Sequence, residues 1–110
     1  MDSNKKFLNG TLKTIILALL KENGKMYGYE ICQMAKEKTN NSIQLTEGAI
    51  YPALHRLEKD GLIISCKEIV NGRTRKYYSV NSISSQEVDQ QIDLLAQFTG
   101  HLRALLNPSA

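Results

Sequence analysis

The chain has 110 residues, of which 42% are hydrophobic and 23% are charged, a composition typical of a single globular domain. Its longest apolar run, Ile15–Leu20, is much shorter than the roughly 20 residues that cross a bilayer, which argues against a membrane protein. Residues 1–80 carry 13 Lys and Arg against 8 Asp and Glu, whereas residues 81–110 carry one Arg against three acids. We therefore expect the first part to meet a polyanion and the second to meet protein.

Signals for export, metal binding and catalysis are missing from the sequence. The N-terminal segment MDSNKKFLNG has no apolar stretch like that of a signal peptide, so we expect a cytoplasmic protein with reduced thiols at Cys32 and Cys66. His55 and His101 share no metal-ligand spacing with these cysteines. No phosphate-binding loop, dinucleotide-binding motif or nucleophile elbow occurs. We expect no cofactor, no metal and no enzymatic activity.

Helical periodicity predicts three helices in the first half of the chain. The first ends near Asn23-Gly24, and its apolar side is formed by Leu12, Ile15, Ile16, Leu19 and Leu20. The second is expected from about Tyr27 to Lys38, with four residues facing inward, Tyr27, Ile31, Met34 and Ala35. After a short extended segment over 43–45, the third helix is predicted over 46–60, with Thr46 as N-cap and Gly61 as stop.

The segment after Gly61 changes to strand periodicity. Residues 62–70 and 73–80 are rich in β-branched and aromatic residues. The Asn71-Gly72 pair between them is a strong signal for a two-residue type I′ turn, because both positions tolerate positive φ. Such a turn fixes the register of the hairpin, with Val70 opposite Arg73 and Lys67 opposite Lys76.

A last helix is predicted from Ser85 to about Leu106, where Asn107-Pro108 stops it. The order is then three helices, a hairpin and a final helix. A helix-turn-helix followed by a two-stranded hairpin is a winged helix. The predicted fold class is therefore mainly α with a small β-hairpin (α+β), a winged helix-turn-helix plus a C-terminal helix.

The third helix contains Pro52, and a proline inside a helix costs about 3 kcal/mol. On a helical wheel Pro52 points away from the apolar side, and its ring meets the carbonyl of Gly48, which has the freedom to tilt aside. Alternatively, the helix has Ala49 as its N-cap, so that Pro52 falls in the first turn and loses no hydrogen bond. Both placements make the outward face smooth at its N-terminal end. A merely kinked helix start is the alternative without functional meaning.

The rest of that outward face is basic. A surface helix has no folding reason to be smooth at one end and basic at the other. A helix that enters the major groove does have one, because its N-terminal part must approach the bases while cations reach phosphates. We therefore predict DNA contacts along this helix, at Thr46, Glu47, Gly48, Tyr51, Pro52, His55, Arg56 and Lys59.

The predicted wing carries Arg73 and Arg75 on one face and Lys76 on the other, beside Tyr78. Exposed hairpins often carry cations for solubility alone. Next to a basic helix, however, we expect these three cations to contact phosphate. Tyr29, near the start of the second helix, is open to two interpretations, a hydroxyl that reaches a phosphate or a ring packed in the core.

Two apolar stripes run along the last helix. One comprises Val88, Ile92, Leu95, Leu102 and Leu106, and the other comprises Leu94, Phe98, His101 and Leu105. Two adjoining stripes are more than one side of a small domain buries, so a second copy of the chain is implied. We predict dimer contacts at Val88, Ile92, Leu95, Phe98, Leu102 and Leu106. The alternative is a helix folded onto its own domain.

Five motifs occur together in this chain: GTL at 10–12, YGYEI at 27–31, TEGAIYPALHRLE at 46–58, GLI at 61–63 and GRTRKYY at 72–78. In combination they resemble the PadR family of bacterial transcriptional regulators over about residues 7–80. The resemblance implies a homodimer in which the third helix reads DNA, the wing touches the backbone and the C-terminal helix dimerises. Because some members respond to phenolic acids or drugs, it also implies a small aromatic effector, for which Phe7, Leu94 and Phe98 are the available apolar walls.

We therefore assign residues 1–80 to a winged-helix DNA-binding domain and residues 81–110 to a C-terminal dimerisation helix, together one compact unit. The expected function is that of a dimeric repressor on a palindromic double-stranded operator, with no membrane partner. The alternative is a winged-helix module that binds protein without reading DNA. A steep salt dependence of binding would favour DNA, because phosphate contacts release counterions.

Overall fold

The computed structural model describes residues 5–108 and confirms the predicted fold class. In chain order its elements are α1 (Lys5–Leu8), α2 (Leu12–Asn23), β1 (Met26–Tyr27), α3 (Gly28–Lys38), α4 (Glu47–Lys59), β2 (Ile63–Val70), β3 (Arg73–Val80), a 3-10 turn (Ser82–Ser84) and α5 (Ser85–Leu106). The sequence did not predict the short α1 and β1. The outer ends of the two predicted domains, residues 1–4 and 109–110, lie outside the described residues.

The helix α4 begins at the predicted N-cap and continues through its proline. The backbone N–H of Ala49 donates to the Thr46 hydroxyl at 3.2 Å, and the N–H of Ile50 donates to the Thr46 carbonyl at 2.9 Å. The alternative start with Ala49 as N-cap is therefore wrong. Pro52 lies inside the helix, but on its exposed side. Water can therefore satisfy the Gly48 carbonyl that receives no hydrogen bond from Pro52.

The wing has the predicted register and turn. Val70 pairs with Arg73 and Lys67 pairs with Lys76 across the two strands. The φ angles of Asn71 and Gly72 are 52° and 77°, both in the left-handed region that a type I′ turn requires. Local turn chemistry therefore determines which side chains of the wing share a face.

The strand β1 adds a third member to the sheet, whose order is β1-β3-β2. It pairs antiparallel with β3, with Met26 opposite Tyr78 and Tyr27 opposite Tyr77. The prediction of a two-stranded hairpin was therefore incomplete, and the assignment of Tyr27 to a helix was wrong. Two residues are too few for periodicity to reveal a strand, and β1 forms only because β3 arrives from a distant part of the chain.

The core lies between the helices and one face of the sheet. The helices α2, α3, α4 and α5 and the strand β2 contribute fully buried side chains to it, and these are Ile16, Leu17, Leu20, Ile31, Ile50, Leu54, Leu57, Ile63 and Val88. The central helix α2 contacts α3, α4, α5 and β3. Tyr78 is buried on the same face of the sheet, whereas Tyr77 is half-buried on the other. Within residues 5–108, no helix combines the length and the apolarity that crossing a membrane would need.

The two halves of α5 differ in exposure. At its start Val88 is fully buried, Ile92 packs against the core, and Asp89 forms an ion pair with Lys21 of α2. From Leu94 onward the large apolar side chains are exposed, except Leu95, which is half-buried. The prediction of a dimer contact at Val88 is therefore wrong, because this side chain is already buried in its own chain. Folding onto the same domain, the alternative interpretation, holds for the start of α5.

Truncation of Val88 tests whether α5 begins in the core. We expect Val88→Ala to lower the free energy of unfolding by about 2 kcal/mol, because two packed methyl groups are lost. Ile83→Ala is the matched control, since Ile83 is 91% exposed and its change should stay within about 0.5 kcal/mol. Urea unfolding followed by circular dichroism measures both variants. Equal effects of the two changes would contradict this packing.

Candidate nucleic-acid interface

Burial fixes the rotation of α4 about its own axis. Ile50, Leu54 and Leu57 are at most 1% exposed and point into the core. The opposite side is exposed along the whole helix and consists of Glu47, Gly48, Pro52, His55, Arg56 and Lys59. The predicted outward face of the helix is therefore confirmed as an exposed surface, while its contact with DNA remains a prediction.

The N-terminal half of this face is open. A Cβ atom added at Gly48 would meet nothing within 4 Å, and Pro52 beside it presents a compact ring. A large partner can therefore approach the first two turns of α4 closely, as the bases of a major groove require.

The C-terminal half of the face carries the cations. Arg56 Nε lies 3.4 Å from Asp60 Oδ2, an ion pair within the same helix end. Lys59 has no ion-pair partner within residues 5–108, and His55 is exposed one turn before it. Exposed ion pairs of this kind contribute little to stability, so Arg56 can exchange Asp60 for a phosphate at small cost.

Tyr51 has a packing role that the sequence did not reveal. Its side chain is about half exposed, and its hydroxyl oxygen lies 2.6 Å from the point where a Cβ at Gly28 would stand. The ring end of Tyr51 therefore rests on the first residue of α3, and only glycine leaves room for it. Desolvation of the partly buried ring first, and then the charge of Glu47, raise the pKa of Tyr51. The glycine within YGYE was the only sequence signal for this contact.

Tyr29 lies on the surface, so the interpretation that placed it in the core was wrong. It is 54% exposed, and its ring stacks on that of Tyr27 with centroids 6.3 Å apart. Tyr27 in turn meets Tyr77 edge-on at 5.4 Å. These three rings join the start of α3 to the outer face of the sheet. A contact between Tyr29 and DNA stays a prediction.

The three wing cations have different surroundings. Arg73, beside the turn, is exposed and has no ion-pair partner within residues 5–108. The guanidinium of Arg75 lies 4.5 Å from the centroid of the Tyr27 ring, a cation–π contact on the outer face of the sheet. Lys76 Nζ, on the inner face, lies 3.6 Å from a carboxylate oxygen of Glu58 and 5.5 Å from the Tyr78 ring centroid. Of the predicted phosphate contacts in the wing, Arg73 alone is therefore unengaged.

Glu58 connects α4 to the wing. Its carboxylate accepts a hydrogen bond from the Ser65 hydroxyl at 2.6 Å, in addition to its contact with Lys76. The Ser65 hydrogen bond first, and then the positive charge of Lys76, lower the pKa of Glu58 below its ordinary value of 4.5. The carboxylate is thus ionised at neutral pH. Sequence reasoning missed Glu58 and Ser65, because nothing in the helical or strand pattern pairs residues from different elements.

The chemistry available on this surface is that of polyanion binding. It offers cations at the C-terminal end of α4 and at the wing tip, and an unobstructed helix backbone in the N-terminal half of α4. Within residues 5–108, no group of three or more His, Cys, Asp or Glu side chains is placed to hold a metal ion. Cys32 is buried and Cys66 is exposed, and both are free thiols.

A helix pair formed by α3 and α4 with an adjoining wing defines a winged helix-turn-helix protein. Residues 16–90 match the model of the transcriptional regulator PadR-like family. The chain therefore belongs to the PadR-like family, whose members are transcriptional regulators and not enzymes. An uncharacterized protein from Lysinibacillus sphaericus is 36% identical over 86 residues, which cover 77% of this chain and 78% of that protein.

Solved structures agree with this assignment. A transcriptional regulator from Clostridium thermocellum superposes with a TM-score of 0.79 at 29% identity, over 93% of this chain and 99% of its own. Bacillus subtilis PadR in complex with operator DNA superposes with a TM-score of 0.65 at 30% identity. That match covers 73% of this chain but 45% of Bacillus subtilis PadR.

The contact between Tyr51 and Gly28 predicts the effect of Gly28→Ala. The new methyl group must displace the Tyr51 ring into solvent, because the ring end is the movable partner. Rehydration should then bring the pKa of Tyr51 down towards its ordinary value of 10.0. An NMR titration of labelled tyrosine measures this shift. Gly10→Ala is the control, since a Cβ at Gly10 meets nothing within 4 Å, and an unchanged pKa in Gly28→Ala would disprove the packing role.

Proposed function

We propose that this protein is a dimeric, sequence-specific repressor of transcription that binds a two-fold symmetric DNA operator through α4. The observation that carries the proposal is the exposed face of α4, open at Gly48 and Pro52 and basic at Arg56 and Lys59. A major-groove helix needs this combination, because its first turns approach base edges while its cations meet phosphates. The complex of Bacillus subtilis PadR with operator DNA supports the proposal.

In this proposal the wing anchors the protein and does not read bases. Arg73 lies beside a rigid two-residue turn at the tip of the hairpin, exposed and without an internal partner among the described residues. A cation in that place reaches a phosphate or the minor groove, where base pairs are poorly distinguished. The base-reading contacts therefore belong to α4, at positions such as Gly48 and His55.

The exposed second half of α5 supports dimer formation. Five large apolar side chains remain uncovered there, and these are Leu94, Phe98, Leu102, Leu105 and Leu106. Contiguous exposed apolar surface of this kind marks an interface. We infer that a second copy of α5 covers it about a two-fold axis. The dimer then presents two α4 helices, whose half-sites should lie about 34 Å apart or at a multiple of this distance.

Repression requires nothing beyond this surface, because a protein that occupies an operator excludes other proteins from the same DNA. An aromatic effector stays a prediction. The side chains expected to form its walls, Phe7, Leu94 and Phe98, are all exposed. A rival function is a winged-helix module that binds protein. A weak dependence of binding on salt would favour that rival, since neutralised phosphates give a steep one.

Substitution of Gly48 tests the reading role of α4. Gly48→Leu should fold normally, because a Cβ atom at this exposed position would meet nothing within 4 Å. It should weaken operator binding at least about tenfold, since a bidentate base contact is worth about 1–3 kcal/mol and the leucine holds the helix away from the bases. Titrations against a duplex selected from a random pool, and against its scrambled counterpart, measure the loss. Arg73→Ala provides the contrast. It should lower the affinity for both duplexes alike and reduce the slope of log affinity against log salt concentration by about one unit.

Wild-type affinity in Gly48→Leu would exclude α4 as the reading element. Failure of the wild type to bind any duplex would exclude the proposed function as a whole.

Substitution of Leu102 tests the dimer. Leu102→Asp places a charge in the exposed apolar part of α5 and should convert the dimer into a monomer, because the charge would be buried without a partner. Ile83→Asp is the matched control, the same kind of change at an exposed position outside α5. Sedimentation equilibrium at micromolar concentration measures the mass of each. A monomeric wild type, or equal dissociation in both variants, would refute the interface.

A further inference from the structure

One carboxylate joins both strands of the wing to the end of α4. Glu58 Oε2 accepts a hydrogen bond from Ser65 of β2 at 2.6 Å, and Glu58 Oε1 lies 3.6 Å from Lys76 Nζ of β3. Ser65 and Lys76 belong to the same face of the sheet, because Ser65 pairs with Tyr78 and Lys76 pairs with Lys67. The contacts therefore come from the inner face, the side on which the helices pack.

Lys76 is held from two sides. Its ammonium lies near the negative carboxylate of Glu58 and 5.5 Å from the centroid of the Tyr78 ring, whose face attracts cations. Tyr78 itself is 6% exposed and does not move freely. Lys76 therefore has one partner at the end of α4 and one in the core, and together these contacts favour one position of β3 near Lys76.

The wing tip has no such support of its own. Ile69, Asn71, Gly72, Arg73 and Thr74 are all exposed. The direction of the tip is set by the nearest anchored residue in β3, which is Lys76, about 10 Å from Arg73 at 3.3 Å per residue. Without the Glu58 contact, the next residue anchored on the inner face is Tyr78, about 17 Å away. A rotation of the hairpin by a given angle then displaces Arg73 much farther, because Arg73 lies farther from the anchored residue.

The outer face of the sheet does not replace this contact. Arg75 lies over the ring of Tyr27, and Lys25 pairs with Glu68. Tyr27 belongs to β1 and Glu68 to β2. These contacts hold the strands to one another and to the start of α3, but they do not fix the sheet against α4.

We propose that Glu58 is a positioning residue for DNA binding, which holds the wing at a fixed angle to α4 so that Arg73 and the exposed face of α4 meet the same duplex. The proposal rests on the function proposed above. Glu58 touches no DNA in this account. It acts by preserving the distance between two separate contact surfaces, and a displaced wing would lose its phosphate contact while α4 stays in place.

The direction in which Glu58→Gln changes the affinity for DNA distinguishes a positioning role from a simple effect of charge. Removal of a negative charge close to DNA strengthens binding when charge alone matters, because repulsion from the phosphates is relieved. Positioning predicts the opposite for Glu58→Gln, a weaker complex. Asp60 provides the matched comparison, since it lies at the same end of α4 but pairs with Arg56 of its own helix at 3.4 Å. Asp60→Asn should therefore strengthen binding.

The experiment measures the affinity of the full-length protein for a duplex selected with the wild type, at two salt concentrations. We expect Glu58→Gln to weaken binding about tenfold, the factor that corresponds to one charge-assisted contact, and to lower the salt slope by about one unit. Thermal unfolding establishes that each variant is folded at the assay temperature. A merely structural role would lower the unfolding temperature and leave the affinity of the folded protein unchanged.

Ser65 gives a second route to the same contact without a change of charge. Ser65→Ala removes the hydrogen bond and should weaken binding in the same direction as Glu58→Gln. Ser65→Thr keeps the hydroxyl and should bind within about twofold of the wild type. This pair decides the question even if Glu58→Gln does not fold.

Two results would overturn the proposal. In one, Glu58→Gln binds as tightly as the wild type or more tightly, as expected for Asp60→Asn. In the other, Ser65→Ala and Ser65→Thr bind alike. A wild type that binds no duplex at any salt concentration would instead overturn the proposed function, and this proposal with it.

Discussion

The surface of α4 depends on the burial of its other side. Ile50, Leu54 and Leu57 are almost completely removed from water, and each such side chain contributes about 1.5–3 kcal/mol. Because the helix is rigid, the burial of these three side chains sets its rotation. Gly48 and Pro52 are consequently turned outward, where water can satisfy the Gly48 carbonyl that receives no hydrogen bond from Pro52. The helical period of the sequence places the apolar side chains on one side of α4 and Gly48 and Pro52 on the other, so the packing of the core also opens the outer face.

Rotation alone does not fix where the ends of α4 lie, and the structure adds one contact at each end. Near the N-terminus the ring of Tyr51 rests on Gly28 of α3. In the last turn Glu58 holds both strands of the wing. The first contact keeps the two helices of the helix-turn-helix together, and the second relates the helix to the hairpin. Neither requires a charged group in the core, so neither carries the desolvation cost of a buried ion pair.

The helix α5 connects this module to the surface that we assign to a second copy. Val88 anchors its start in the core, and the exposed apolar side chains follow from Leu94 to Leu106. At 1.5 Å per residue the exposed part extends about 18 Å. A rigid helix that is anchored at one end transmits the geometry of any interface at the other end. The spacing of two α4 helices in a dimer would therefore follow from how two α5 helices pack.

The sequence by itself determined the features that depend on interactions between residues close together in the chain. Helical periodicity was enough to separate the buried side of α4 from its outer face at Gly48 and Pro52. The Asn71-Gly72 turn was enough to set the register of the wing, because a two-residue turn leaves no freedom in the pairing. Thr46 marked the start of α4, since its hydroxyl satisfies an otherwise unpaired N–H.

Only the tertiary structure decided which distant residues meet. The strand β1 exists because β3 lies beside it, and periodicity cannot reveal a strand of two residues. Val88 belongs to an apolar stripe that looks uniform in the sequence. The docking of α5 on α2 buries Val88, leaves Ile92 and Leu95 half-buried and leaves Leu102 and Leu106 exposed. Lys76 looked like a free cation until α4 placed Glu58 opposite it. Contacts of this kind depend on the packing of separate elements, which a pattern within one element does not encode.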